Sequence, residues 1–468
     1  MTNPARRSRS SVLRVASAAS ALLAAGLAMP ATVAAHALSK SFESRLPLAV
    51  YLVGAAVAVA LSFAFVLARN ALAAPPADDG RRITVPRPVR TGLRAIGLIG
   101  WSWIVVQGIV GGETDAEVSR LFTWVYGWVG VALVSAFIFP LWTWLNPFAT
   151  LHDVGARALR VAGISGLAPA HFPAALGRWP AVVGFAGVVW LELVAFGAGS
   201  RTLALVITGY TVFTLAMMAQ FGKRSWTEHG EIFSVWFAVL GRLAPLALVQ
   251  DGDARDGDDG LLRRRRFGSG LRESGWTAPD VVLIALATAS ILFDGLSQTQ
   301  IWVSTFGLPA ALPLTLILAG FAGLIAAAAM VVARLVGVPA AAAGLLPISV
   351  GYLLAHYGTY LLTAGQRIVI AVSDPLQQGA DLFGTVHFEP SDAWLPPAIV
   401  WAIQFGAVVG GHMLGAWAGH AVAGADAAHP VRKSPGALRL RQVPFAVLMV
   451  ALTTITLWSL GQALFISG

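Results

Sequence analysis

The most constraining feature of this chain is its run of long, uninterrupted apolar segments. One of them, "ALPLTLILAGFAGLIAAAAMVVA" (311–333), carries no charged side chain at all. A helix needs roughly 20 such residues to cross the hydrocarbon of a bilayer. Backbone polar groups there must be satisfied internally, which leaves helices or closed barrels. Ten stretches reach or approach helical length, at about 47–68, 94–112, 121–145, 180–197, 203–221, 279–300, 311–333, 340–363, 397–420 and 444–465. Composition agrees, because only 12% of the 468 residues are charged, against roughly 25% in soluble domains. The expected fold class is therefore all-α, a polytopic transmembrane helical bundle of about ten spans after an N-terminal signal peptide.

The leader is read from its layout. Residues 1–14 carry Arg6, Arg7, Arg9 and Arg14, an Ala-rich apolar stretch follows to Met29, and Pro30 breaks it before "ATVAAHALSK" (31–40). That order of charge, apolar run and small residues is a signal peptide. With Val33 at −3 and Ala35 at −1, cleavage assigns 1–35 to the leader and 36–468 to a single membrane domain starting at His36. An uncleaved first helix is the alternative. A cut after Ala37 also satisfies the small-residue rule and discards His36.

Charge then orients the spans. With the mature N-terminus outside, the loops at about 69–94, 146–179, 222–278, 334–339 and 421–443 hold 23 of the 32 Lys and Arg, the outer segments 5 and the leader 4. This asymmetry is the positive-inside rule. It accounts for the net charge of +9 without any nucleic-acid partner, and places the protein in the plasma membrane. The absence of cysteine excludes disulfides, thiolate ligands and a cysteine nucleophile.

Three inner segments invite functional readings and receive architectural ones. "DGDARDGDDGLLRRRRFGSG" (251–270) lacks the ligand spacing and final Glu of a calcium loop, so 249–277 reads as a solvated cytoplasmic linker. "EIFSVWFAVLGRL" (231–243) puts Glu231, Ser234, Ala238 and Arg242 on one stripe, which reads as a helix lying in the membrane interface. "LWTWLNPFATLHD" (141–153) contains the helix stop Asn146–Pro147.

No G-x-S-x-G elbow, H-E-x-x-H or phosphate loop is present, which removes the usual support for serine hydrolases, zincins and nucleotide-driven pumps. What remains is a set of polar residues inside apolar spans, each costly in hydrocarbon and each a candidate functional group: Glu192 in "VVWLELVAFG", Asp294 in "SILFDGLSQTQ", His356 in "YLLAHYGTYLL", and Gln404 and His412 in "WAIQFGAVVGGHMLG". At 1.5 Å per residue, Glu192 and Asp294 lie roughly 8–9 Å below the outer span ends, His356 and Gln404 roughly 11 Å, and His412 roughly 22 Å. Four polar groups from four helices thus share one outer-half level, the mark of a pocket. Pairwise gluing of the bundle, at about 0.6 kcal/mol each, is the competing explanation.

His412 lies in the small-residue stripe of Gly411, Gly415 and Gly419 and suits packing. His420 reads as solvated. The outer loop of about 364–396 contains "SDPLQQGADLFGTVHFEP" (373–390), whose Asp374 and Asp381 could ligate a cation over the pocket, or be simply solvated. His36 emerges on the same side. Freed as the N-terminus it offers amine and imidazole nitrogens, which suit Cu(II); otherwise it is a leader remnant.

Several strings occur in order along nearly the whole mature chain: "HALSKSFESRLPLAVYLVGAAVAVALSFAFVL", "NPF", "WLELV", "FDGLS", "LAHYGTYLLTAGQ", "SDPLQQGADLFGT" and "WAIQFGAVVGGHMLGAWAGHA". Together they resemble the bacterial and archaeal polytopic membrane proteins known as fenitrothion hydrolases. The resemblance implies a membrane-bound organophosphate-hydrolase activity. It places acids at Glu192 and Asp294, a histidine at His356, the loop holding Asp374 and Asp381, and a leader-junction histidine at His36. Where many relatives have His-Asp-Arg after the ninth span, this chain reads "HAVAGAD", so no role passes to His420.

Two main functions follow as expectations. The first is metal-dependent hydrolysis of neutral, lipid-partitioning phosphotriesters by a metal-bound water, with Asp294 and His356 as ligands of a divalent zinc or copper ion and Glu192 as ligand or general base. The second is a transporter or copper-handling protein in which the same groups relay a cation or proton. A structural subunit of a larger membrane complex is the third. The expected partners are the bilayer and a small apolar or metal-ion ligand, with no nucleic acid.

Overall fold

A computed structural model describes residues 48–68, 80–114, 117–164, 169–195, 199–249, 260–307, 309–425 and 435–461. The expected signal peptide and His36 lie outside them. The elements that organise the described residues are α1 (Leu48–Ala68), β1 (Arg82–Thr84), α2 (Arg87–Val110), α3 (Val118–Phe137), α4 (Pro147–Val161), α5 (Trp179–Leu193), α6 (Ser200–Phe221), α7 (Ile232–Leu240), β2 (Leu246–Leu248), β3 (Leu261–Arg264), α8 (Ala278–Ser297), α9 (Ala311–Val336), α10 (Val338–Ala364), α11 (Pro397–Ala425) and α12 (Pro435–Leu460).

Sequence decides which helix is central. α10 is apolar on every side, and a helix without a polar face belongs in an interior. It is buried from Ala340 almost continuously to Tyr357 and packs against α8, α9, α11 and the middle of α3. Against α11 the contact is backbone to backbone: a Cβ at Gly351 would lie 2.5 Å from the Ala407 carbonyl oxygen, and one at Gly411 2.6 Å from that of Pro347. Small residues permit this approach, as membrane bundles favour. α2 and α9, by contrast, expose Ile96, Ile99, Leu316 and Leu324, as lipid-facing helices do.

Eight helices among the described residues are long and apolar enough to cross a membrane. Two of the ten expected stretches coincide with shorter apolar helices, Leu52–Ser62 within α1, and α5. At 15 residues, α5 is about 22 Å long, short of the roughly 30 Å hydrocarbon thickness. The stretch expected to run from 121 to 145 stops at Phe137, because Pro140 cannot continue a helix; a separate turn, Trp142–Leu145, follows. The middle of α3, Leu121–Gly130, is π-helical, and Tyr126 donates to the Gly365 carbonyl at 2.5 Å, tying it to the end of α10.

The loops expected on the inner side differ most from expectation. The helix of "EIFSVWFAVLGRL" packs into protein and does not lie in the membrane interface: Ile232, Val235, Trp236, Phe237, Val239 and Leu240 of α7 are all buried. Glu231, fully buried, caps α7 by accepting from Phe233 N at 3.1 Å and Ser234 N at 2.8 Å. It also accepts from Ser234 Oγ (2.5 Å), Tyr210 Oη (2.8 Å), Trp142 Nε1 (3.1 Å) and Asn146 Nδ2 (3.3 Å). Asn146 in turn caps α4 through Ala149 N. The described part of the expected linker, 260–277, is folded: β3 lies between β1 and β2, antiparallel to both. Within "RRRR", Arg265 is buried and donates to the carbonyls of Ala244 (2.9 Å) and Gly241 (2.5 Å) and to Glu273 (2.9 Å). A solvated reading fails there because three acceptors replace water. His420 is likewise buried, with Nδ1 2.9 Å from Gln442 Oε1.

Candidate functional site

Three helices deliver the polar cluster. Asp294 sits less than a turn from the end of α8, which stops where Thr299 turns extended and caps the short helix Gln300–Phe306 by accepting from Trp302 N. Glu192 is the penultimate residue of α5. His356 and Tyr357 are consecutive on α10.

Asp294 is the hub. Its Oδ2 lies 2.9 Å from His356 Nε2 and accepts from Tyr357 Oη at 2.8 Å, while its Oδ1 accepts from Gln298 Nε2 at 2.7 Å. Tyr357 Oη also approaches Glu192 Oε1 at 3.5 Å. A chain of polar atoms therefore runs from His356 through Asp294 and Tyr357 to Glu192. Glu192 and His356 are 7% and 5% exposed, so this chain is enclosed by protein. Glu192 Oε2 and Gln298 Oε1 are buried with no hydrogen-bond partner among the described residues. Buried polar atoms are nearly always satisfied, and an exception calls for a reason.

Gly295 brings α8 close to the imidazole. A Cβ placed on it would lie 3.6 Å from His356 Cε1, 3.7 Å from Nδ1 and 3.4 Å from Ser459 Oγ, all ordinary contact distances. Its lack of a side chain sets the packing of α8 against His356 of α10 and Ser459 of α12.

The other candidates stand apart. Gln404 donates to the Ala355 carbonyl at 2.9 Å; it clasps α11 to α10 beside His356 without joining the carboxylates. His412 is fully buried about two turns further along α11, with Nε2 3.3 Å from Tyr352 Oη and Nδ1 2.8 Å from the Val408 carbonyl. Asp374 accepts from Gln378 N (3.0 Å) and Gly379 N (2.8 Å), and Asp381 from Ser373 Oγ (2.6 Å) and Val386 N (3.2 Å). The Ser373 hydroxyl holds the Asp381 carboxyl below its ordinary value. Both carboxylates thus shape their own loop. That loop is fastened to the end of α2: Trp103 Nε1 donates to the Pro375 carbonyl at 2.6 Å, and Gln377 Nε2 to Thr114 Oγ1 at 2.8 Å.

A catalytic zinc takes three protein ligands, and among the described residues no three His, Asp or Glu side chains form a group able to hold one. Asp294 and His356 supply two candidate ligands and bond each other. The described residues do not fit a resident catalytic metal, and the chemistry they support is acid–base.

Tyr357, Gln298 and Gly295 escaped the sequence reading. Tyr357 lay in the quoted "AHYG" string, but a tyrosine in a membrane helix carries no cost that singles it out. The chain matches no family model, no curated protein and no solved structure.

Proposed function

We propose that this multi-pass chain is a hydrolase of neutral, lipid-partitioning phosphotriesters, working by proton transfer at His356. The observation that carries the reading is the grip of Asp294 on His356 Nε2 at 2.9 Å. An ionised carboxylate only accepts, so Nε2–H donates to it and Nδ1 keeps its lone pair. Three donors converge on Asp294, which suits the carboxylate form. A water that reaches Nδ1 loses a proton to it, and its oxygen attacks phosphorus. The bond from phosphorus to the aryloxy oxygen breaks, giving a dialkyl phosphate and a phenolate, while Asp294 stabilises the imidazolium. Tyr357 and the unpartnered Glu192 Oε2 offer the proton an exit. The resemblance to fenitrothion hydrolases, carried by strings that hold Glu192, Asp294 and His356, supports the substrate class.

The purified chain in proteoliposomes should release 4-nitrophenolate from a dialkyl 4-nitrophenyl phosphate. Asp294→Asn or His356→Gln should lower the rate about 10²–10⁴-fold, the usual contribution of general base catalysis. Release no faster than from empty vesicles would end the hydrolase reading.

A second reading, proton- or cation-coupled transport, is favoured by the break between α8 and Gln300–Phe306 and by the short α5 ending at Glu192. Interrupted helices beside polar groups are a transporter feature. A pH gradient dissipated by the wild type and not by Asp294→Asn, without hydrolysis, would support it.

The orientation we infer from the basic asymmetry puts 222–278 in the cytoplasm and 364–396 outside, in the plasma membrane. With cysteines introduced singly at Ser269 and Ser391, an impermeant thiol reagent on intact cells should label only the second. Labelling of Ser269→Cys alone would invert the arrangement.

A further inference from the structure

Away from this cluster, α4, the start of α2 and the end of α6 with its following turn enclose a cleft of about 920 Å³. Its wall carries Arg94, Arg157, Arg160, Lys223 and Arg224 against two acids, Asp153 and Glu228. Both acids are engaged: Lys223 Nζ lies 2.9 Å from Asp153 Oδ1, and Arg224 Nε 2.9 Å from Glu228 Oε1. Burial pushes the Asp153 carboxyl up, but hydrogen bonds from His152 and Lys223 outweigh it, and the group sits below its ordinary value. It therefore remains an anion that holds Lys223. Arg157 and Arg160 are exposed, and no acidic partner faces them among the described residues.

Their surroundings indicate where they work. Arg157 follows Val154 by three residues and precedes Val161 by four, so the three share one stripe of α4. Val154 and Val161 are 59% and 83% exposed. Apolar side chains displayed on both sides of an arginine suit a helix whose surface lies among acyl chains while the guanidinium reaches the headgroups. The cleft is built from segments of the arginine-rich side, where the positive-inside rule puts the cytoplasm and its anionic leaflet.

We propose that this cleft binds a phosphate-bearing anion, with Arg157 and Arg160 as its main contacts. The planar guanidinium fork matches phosphoryl oxygens with paired N–H donors. The apolar flanks favour the headgroup of an anionic phospholipid over free phosphate. None of these residues belongs to the Glu192–Asp294–His356 cluster, so the site stands whatever reaction that cluster serves.

The test is fluorescence anisotropy of a short-chain, fluorophore-labelled phosphatidylglycerol titrated with the full chain in neutral detergent. Labelled phosphatidylcholine is the comparator and inorganic phosphate the competitor. Phosphatidylglycerol should bind saturably and at least about tenfold more tightly than phosphatidylcholine. The R157Q/R160Q variant should weaken it about thirtyfold, since each basic residue near an anionic surface contributes close to a fivefold change. R157K/R160K, which keeps the charge but loses the paired donors, should bind more tightly than R157Q/R160Q and less tightly than the wild type, and so separate recognition from folding. Displacement by millimolar phosphate would assign the cleft to the free anion, and resistance to it would assign the headgroup; either keeps the phosphate site. Equal binding of the two lipids, or phosphatidylglycerol binding unchanged in R157Q/R160Q, would overturn it.

Discussion

Glu231 and Glu192 are buried carboxylates in one helical bundle, and their surroundings are opposites. Glu231 accepts six hydrogen bonds, from two backbone amides, two hydroxyls, an indole and an amide. Glu192 has a single hydroxyl at 3.5 Å on one oxygen and nothing on the other. A fully satisfied buried polar group rigidifies its neighbourhood, whereas a half-satisfied one is a liability that persists where it has a use. Burial and charge alone do not separate the two glutamates; the donor count does. It assigns Glu231 to architecture and leaves Glu192 to the chemistry proposed above.

The largest expected effect lies at Glu231. Glu231→Ala leaves the Trp142 and Tyr210 donors without their acceptor and uncaps α7. Each orphaned buried donor costs roughly 1–3 kcal/mol, so a loss of about 3–5 kcal/mol is expected. It should appear as a lower thermal midpoint and loss of monodisperse protein in detergent. An unchanged midpoint would break the architectural assignment.

Glu192→Gln sharpens the contrast from the other side. The substitution is nearly isosteric and removes a carboxylate oxygen that has no donor, so stability should change by less than about 1 kcal/mol, in line with the small worth of polar contacts inside membranes. Phosphotriester hydrolysis should fall at least about tenfold, as when an acid–base partner is removed. A large drop in thermal midpoint with activity per folded molecule intact would make Glu192 a second structural glutamate.

What the sequence disclosed follows the same division. Spans were legible because hydrocarbon demands long apolar runs, and Glu192, Asp294 and His356 were legible because each is expensive there. Residues that are cheap in a membrane helix, such as Tyr357 and Gly295, gave no signal, although Tyr357 bridges the acids and Gly295 packs against the imidazole. Glu231 was visible but misassigned. Its stripe with Ser234 is amphipathic, and only partners 85 and 89 residues earlier in the chain turn that stripe inward. The folded run at Leu261–Arg264 and buried Arg265 failed for a related reason, because acceptors at Gly241 and Ala244 become available only once the chain doubles back.

The smallest expected change in structure is Gly295→Ala, and it isolates access from assembly. The added methyl would meet Ser459 Oγ at 3.4 Å and the His356 ring at 3.6–3.7 Å, ordinary van der Waals contacts. Alanine is also favoured over glycine within a helix by roughly 0.5–1 kcal/mol. The thermal midpoint should therefore hold or rise slightly, with the Asp294–His356 pair intact. The same substitution at Gly344 drives a methyl into the Phe445 ring and should lower the midpoint, which makes it the packing control. At Gly295 the methyl crowds the Nδ1 edge of the imidazole, which the proposed water must approach, so hydrolysis should fall about tenfold, within the range of general base catalysis. If Gly295→Ala hydrolyses at the wild-type rate, the attacking water does not approach from that side, and the open Glu192 Oε2 becomes the place to look for it.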